Sequence, residues 1–155
     1  NSPRDIQKQW FIRQINLAKD LKLPIIIHDR ESHEDAMNIV KSERAASVGG
    51  IFHCFSSSVE MARDVLKNNF HIAVGGSLTF KNAKRPVEVV EYVPMDRLLL
   101  ETDCPYMTPH PFRGRRNDST YLRLVAEKMA QIKGLTLEEV VEVTTNNAKT
   151  LFKID

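Results

Sequence analysis

Three short apolar segments of the chain each end in a residue type that binds metal ions. Their last side chains are two imidazoles and a carboxylate, and the segments are residues 24–28, 49–53 and 98–103. Short runs rich in Ile and Leu between Gly or Pro boundaries are typical of buried strands. Because open α/β sheets and barrels place their sites at the carboxyl ends of strands, His28, His53 and Asp103 are candidate ligands of one divalent metal site. Imidazole and carboxylate ligands favour Mg²⁺, Mn²⁺ or Zn²⁺ over copper or an iron–sulfur cluster.

Helical and strand-like segments alternate along the chain. The predicted strands cover residues 24–28, 50–54, 70–75 and 97–102, so that one strand ends about every 25 residues, the repeat length of a βα unit. Amphipathic periodicity and capping residues predict helices over 3–21, 32–44, 57–67, 86–92, 119–132 and 136–145. The strands lack hydrophobic–polar alternation, which predicts parallel strands covered on both faces. Four strands fit a flavodoxin-like open sheet or about half of a (β/α)₈ barrel, which needs roughly 200 residues or more.

Length and composition are those of an ordinary soluble domain. The chain has 155 residues, 42% apolar and 27% charged, which predicts a single domain over residues 1–155. A net charge of +2 does not by itself indicate nucleic-acid or membrane binding. No apolar run approaches the roughly 20 residues that span a bilayer, and the first residues resemble a helix cap rather than a secretion signal. We therefore expect a cytoplasmic protein without a membrane partner.

Two cysteines, Cys54 and Cys104, directly follow two of the candidate ligands. Two cysteines do not make a disulfide framework, and we expect both to be buried, reduced thiols. Successive residues of a strand point to opposite faces, so Cys54 is expected to point away from the ligand direction of His53.

Charged residues near the candidate ligands could support them or bind substrate. Glu101 lies two residues before Asp103, on the same strand face, either as a buried ion-pair partner or as a support behind the ligands. Arg30 follows His28 by two residues and either faces the site or is solvated. The irregular segment 104–118 contains three prolines and three arginines, and the arginines either bind phosphate or belong to a solvated loop; they are Arg113, Arg115 and Arg116.

Five motifs lie at residues 24–30, 52–56, 99–106, 113–117 and 145–152, and they follow an opening segment over residues 2–14. Together the motifs resemble those of the TatD family of metal-dependent deoxyribonucleases, and the opening segment is similar to the residues before that family's fourth strand. The resemblance implies a TIM barrel of the amidohydrolase superfamily that holds one or two divalent metals. By motif, His28, His53 and Asp103 correspond to family ligands, with Asp103 also expected to accept a proton from water.

The rest of that family's ligand set has no counterpart in this sequence. The family has an N-terminal His-x-His pair and a Glu that ends its third strand, and the chain contains no His-x-His. The resemblance therefore covers the C-terminal three fifths of the family, and it implies a partial TIM barrel that lacks roughly the first three βα units. The implied activity is hydrolysis of DNA phosphodiester bonds. A related hydrolase of amides or esters, and an inactive truncated fragment, are the alternatives. The native metal, the mode of cleavage and the oligomeric state stay open.

Overall fold

The computed structural model describes residues 2–155 as alternating helices and strands. The helices are α1 (Arg4–Leu21), α2 (His33–Ser42), α3 (Val59–Lys67), α4 (Lys84–Tyr92), α5 (Leu122–Lys133) and α6 (Leu137–Phe152). The strands are β1 (Ile25–His28), β2 (Gly50–His53), β3 (Phe70–Val74) and β4 (Leu98–Leu100). The α/β class and the alternation predicted from the sequence are confirmed. No helix among the described residues is long and apolar enough to cross a membrane.

The four strands form one parallel sheet in the order β1-β2-β3-β4. Each strand is joined to the next by a crossover that contains a helix, as parallel pairing requires. The pairing register of β1 and β2 places His28 opposite His53. The carboxyl ends of all strands therefore meet at one edge of the sheet, where the candidate ligands lie.

The larger core lies between the sheet and the helices. One register row crosses all four strands and is at most 4% exposed; it consists of Ile27, Phe52, Ile72 and Leu98. Burying each such side chain contributes about 1.5–3 kcal/mol. A smaller cluster occupies the other face, where Ile51, Ala73 and Leu99 pack beneath residues of the last turns of α6. His53 follows Ile51 by two residues, so the candidate site shares the face of the smaller cluster.

Strand β1 departs from the expectation that both faces of every strand are covered. Its burial alternates, and Ile26 is 60% exposed. An apolar groove between α1 and β1 adjoins this residue, and exposed side chains along α1 and the turn that follows it include Trp10, Leu17, Leu21 and Leu23. Because β1 ends the sheet order among the described residues, no strand pairs with its outer edge there.

Several boundaries differ from the sequence prediction, in α6 because tertiary packing overrides the local pattern. Strand β4 ends at Leu100, so Glu101 and Asp103 lie in the segment after it rather than in a regular strand. Helix α6 continues to Phe152, seven residues beyond the predicted end, because its last turns pack on the sheet. The sequence pattern Thr-x-x-Glu at Thr136 predicts a capping box for α6, and Thr136 and Glu139 form it reciprocally. Ser32 is likewise predicted to cap α2, but it makes no side-chain cap and donates to Asp29 instead.

The expectation that both cysteines are buried is also wrong. Cys104 is exposed and donates from Sγ to Thr102 Oγ1 at 3.1 Å, whereas Cys54 is half-buried. Both are free thiols. Cys54 has a φ of 50°, which lies outside strand geometry, so the alternation rule does not set the direction of its side chain.

Candidate metal centre

The paired ends of β1 and β2 bring two candidate ligands together. His28 and His53 are register partners, and their ring centroids lie 5.5 Å apart. Residues opposite each other in a parallel pair point to the same face, so both imidazoles face the same side of the sheet. His28 is exposed, whereas the His53 side chain is only 20% exposed.

The third candidate ligand approaches from the segment after β4. The Nε2 atom of His53 lies 3.5 Å from Oδ1 of Asp103, whose side chain is 34% exposed. Two donor atoms bonded to one tetrahedral metal at about 2.0–2.2 Å stand about 3.4 Å apart. The separation between His53 and Asp103 therefore fits two ligands of a single divalent ion.

Glu101 holds His53 from the other side of its ring. One carboxylate oxygen of Glu101 pairs with Nδ1 of His53, and the other accepts the backbone N–H of Cys54. The Glu101 side chain is only 12% exposed, and this burial raises the pKa of its carboxyl group, opposed by its bonds to His53 and Cys54. Accepting a proton from Nδ1 leaves Nε2 with a lone pair that faces Asp103, as a neutral metal ligand requires.

The thiol next to His53 is not an activated nucleophile. Burial raises the pKa of Cys54 to about 11, and the negative charges of Glu101 and Asp103 add to this effect. The thiol of the metal-free protein therefore stays protonated at neutral pH, whereas nucleophilic attack needs the thiolate.

The candidate ligands among the described residues do not form a closed metal site. Within residues 2–155, no group of three or more His, Cys, Asp or Glu side chains has the arrangement of a metal site. The donor chemistry nevertheless fits a divalent ion. With the ring proton on Nδ1, the Nε2 lone pair and a carboxylate oxygen of Asp103 would be two acceptors facing each other, an arrangement that a cation between them stabilises. His53 and Asp103 are thus the centre of the set, with His28 beside them.

The arginines predicted to bind phosphate have different surroundings. The guanidinium of Arg113 lies 3.8 Å from the ring centroid of Phe80 and donates to the Thr108 carbonyl at 3.2 Å, so it holds the loop in place. The guanidinium of Arg115 lies 5.3 Å from the Phe112 ring. Arg30 and Arg116 are exposed and form no side-chain hydrogen bond or ion pair with the rest of the described chain. Arg30, Arg115 and Arg116 stay predicted phosphate ligands, whereas Arg113 is engaged within the protein.

A hydrogen-bonded cluster that the sequence reasoning missed follows β1. The Asp29 carboxylate, only 6% exposed, accepts from the N–H and Oγ of Ser32 at 3.1 and 2.7 Å and pairs with Nδ1 of His33. The sequence feature that could have revealed this cluster is the aspartate four residues before a histidine, Asp29 and His33. This cluster holds the turn that carries His28 and Arg30 against the start of α2.

The loop after Asp103 packs closely on the end of β3. Gly76 lies so near the loop that a Cβ at this position would come within 1.9 Å of the Met107 carbonyl oxygen. We predict that Gly76→Ala displaces the loop and lowers stability by about 1–3 kcal/mol, as overpacking of a filled site does. Unfolding in urea measures the change. Gly75→Ala, whose added Cβ would meet no atom nearer than 3.4 Å, is the matched control, and equal stability of Gly76→Ala and the unchanged protein would contradict the packing described.

The fold and the site define an α/β protein with candidate metal ligands where the carboxyl ends of the parallel strands meet. A family model described as TatD related DNase matches residues 1–153. The chain belongs to the TatD family. It is 56% identical over 154 residues to the uncharacterized metal-dependent hydrolase YabD of Bacillus subtilis, covering 99% of the chain and 60% of YabD. It is 42% identical over 149 residues to the uncharacterized metal-dependent hydrolase YcfH of Escherichia coli, covering 96% and 56%.

Solved structures show the same fold. The crystal structure of YjjV, a TatD homologue of Escherichia coli, superposes with a TM-score of 0.87 at 30% identity, over 95% of this chain and 57% of that one. A hydrolase of the TatD family from Entamoeba histolytica superposes with a TM-score of 0.86 at 24% identity, over 97% and 58%. The chain spans about three fifths of the length of the relatives that it matches.

Proposed function

We propose that the protein is a divalent-metal-dependent hydrolase that cleaves phosphodiester bonds of DNA. The observation that carries the proposal is His53, held at Nδ1 by Glu101 and facing Asp103 with Nε2 at 3.5 Å. A neutral imidazole and a carboxylate at this separation suit one divalent ion. The names of YabD and YcfH support a metal-dependent hydrolase. The family's description as related to DNases and the exposed arginines of the loop support DNA as the substrate.

Each side chain of the site has a separate task in this proposal. His28, His53 and Asp103 would hold the divalent ion, and Glu101 keeps His53 in the tautomer that presents Nε2. When bound, such an ion supplies Lewis acidity, which lowers the pKa of water towards neutrality and polarises a phosphoryl oxygen. Asp103 accepts the proton lost by the attacking water, and its partial exposure gives water access. Arg30, Arg115 and Arg116 bind backbone phosphates next to the site.

We further propose that the uncovered edge of β1 marks the position of further barrel strands. The TatD relatives extend well beyond the region that this chain matches. In a partial TIM barrel that lacks the first three βα units, those units would pair with β1, cover Ile26 and add the remaining ligands. Hydrogen exchange compares the 155-residue chain with any longer product of the gene. Stronger protection of β1 amides in the longer product would support the partial barrel, and equal protection would contradict it.

A comparison of substrates tests the proposed activity. The protein is incubated with an oligonucleotide, a simple phosphodiester and acyl substrates with amide or ester bonds, each with Mg²⁺, Mn²⁺ or Zn²⁺ and with a chelator. We expect metal-dependent cleavage of the oligonucleotide. Hydrolysis of only the acyl substrates would instead indicate an amide or ester hydrolase. An absence of metal-dependent stabilisation in thermal unfolding would indicate an inactive fragment.

Arg115 and Arg116 of the loop are predicted to contribute to the salt dependence of DNA binding. We expect Arg115→Gln with Arg116→Gln to weaken binding to different sequences equally and to reduce the slope of log K against log [salt] by about 1.5–2. Fluorescence anisotropy across a salt series measures the slope. Arg44→Gln, which removes an exposed arginine before β2 at the opposite edge of the sheet, is the charge-matched control. Equal slopes for the double variant and the control would contradict phosphate binding by the loop.

A further inference from the structure

The aromatic ring of Tyr106 is the most exposed large apolar side chain in the described part of the protein. Its exposed fraction is 70%, against 55% for Trp10 and 42% for Tyr92. Tyr106 follows Asp103 by three residues, so its backbone lies one turn from this candidate ligand. An aromatic ring left in water beside a catalytic centre is available to bind a flat apolar group.

The backbone that carries this ring is held on both sides. The N–H of Tyr106 donates to the Asp103 carbonyl at 2.7 Å, and the Tyr106 carbonyl accepts from Asn117 Nδ2 at 2.6 Å. Asn117 is only 2% exposed, and its own N–H donates to the Pro105 carbonyl at 3.0 Å. The ring is therefore presented from a fixed backbone, which reduces the entropy lost when a ligand packs against it.

Other exposed aromatic rings already have partners within the protein. The guanidinium of Arg13 lies 4.7 Å from the centroid of Trp10, and Arg63 lies 5.7 Å from that of Tyr92 and donates to its hydroxyl at 3.3 Å. Among residues 2–155, the structure places no cation or aromatic ring against Tyr106 in this way. The exposure of Tyr106 thus leaves a π surface free for a ligand.

The charge of the same loop defines the chemistry of that ligand. The bond between Asn117 and Pro105 brings the chain after Arg115 and Arg116 back to the turn that carries Tyr106. A free π surface, two guanidinium groups and a metal-binding carboxylate on one loop suit a ligand that joins an aromatic ring to an anionic phosphate. A nucleotide has this combination, and stacking on aromatic side chains is how proteins bind unpaired bases.

We infer that Tyr106 is a substrate-binding residue that stacks on a nucleobase of the bound strand. The inference rests on the proposed function and assigns one substrate contact within it. The stacked base would add binding energy that is equal in the ground state and the transition state, while the arginines hold the phosphates. Because stacking involves only the ring, the Tyr106 hydroxyl is dispensable and phenylalanine is expected to replace tyrosine.

The test uses oligothymidylate and an abasic oligomer of the same length, which carries the same phosphates without bases. Binding of each to the full chain is measured by fluorescence anisotropy in the presence of a chelator. We expect Tyr106→Ala to weaken oligothymidylate binding about 5- to 150-fold, the usual effect of losing one stacked base, and to leave the abasic oligomer unchanged. Tyr106→Phe is expected to bind both within about twofold of the unchanged protein, and Tyr92→Ala is the matched control on another exposed ring.

Kinetics with metal present give a second readout. We expect Tyr106→Ala to raise KM for oligothymidylate and to leave kcat unchanged, since stacking acts on substrate in the ground state and transition state alike. Equal weakening with both oligomers, or none with either, would overturn the assignment of Tyr106. Base-dependent binding through Tyr106 in a protein that cleaves neither oligomer would uphold the assignment and contradict the proposed nuclease activity, so the two failures are distinguishable.

Discussion

His53→Ala and Asp103→Asn are each expected to reduce metal-dependent cleavage by more than about 100-fold. Changes behind a metal ligand typically cost 10- to 100-fold in affinity or activity, and loss of a ligand costs more. His53 and Asp103 face each other at 3.5 Å, so removing either leaves a single donor at the centre of the site. Activity at saturating Mn²⁺ and metal affinity by calorimetry measure the effect.

Folding of these variants is followed separately. Asp103→Asn keeps the shape of a partly exposed side chain, so its melting temperature without metal is expected to match that of the unchanged protein. His53→Ala leaves the buried Glu101 carboxylate without its imidazole partner, which costs about 1–3 kcal/mol. Asp20→Asn, on the exposed face of α1, is the control. Near-full activity of Asp103→Asn at equal metal occupancy would show that the ligand assignment is wrong.

Glu101→Gln is expected to weaken metal binding about 10- to 100-fold without removing any ligand. The Glu101 carboxylate accepts from two donors at once, the imidazole N–H of His53 and the backbone N–H of Cys54. A glutamine amide has one oxygen and one NH₂ group, so one of the two donors would face another donor. His53 is then expected to populate the tautomer with the proton on Nε2, which cannot bind the metal.

The ¹⁵N chemical shifts of the His53 ring report that tautomer directly in metal-free protein. A purely structural role for Glu101 would lower stability and leave the ratio of tautomers unchanged. Glu101→Asp keeps the charge but shortens the side chain, so recovery of metal affinity in this variant would indicate that charge alone matters. Glu138→Gln, at the exposed start of α6, is the control for removing a carboxylate.

Local patterns in the sequence predicted the elements well, because helix caps and βα spacing act over a few residues. The Thr136 capping box of α6 is an example, since both of its partners lie within one turn. Ends of elements were predicted less well where packing decides them. Helix α6 extends to Phe152 because its last turns cover the smaller apolar cluster of the sheet, a contact between residues distant in the sequence.

Exposure was the weakest part of the sequence prediction. Cys104 was expected to be buried and is exposed, and Ile26 lies in an apolar strand yet is 60% exposed. Arg113 has the same local sequence character as Arg115 and Arg116, but only its guanidinium lies against Phe80 and bonds to a backbone carbonyl. The residue type determines which contacts a side chain can make, whereas its neighbours in space determine whether it is free to contact a ligand.

By itself, the sequence determined the alternating α/β order and the placement of His28, His53 and Asp103 at or just after the carboxyl ends of strands. These features depend on hydrophobic patterns and spacing, which are local. Only the tertiary structure decided that Glu101 reaches His53 and that Tyr106, three residues after Asp103, is left exposed. Both depend on the packing of segments far apart in the chain, because strand register and loop anchoring set the distances and accessibility on which the chemistry depends.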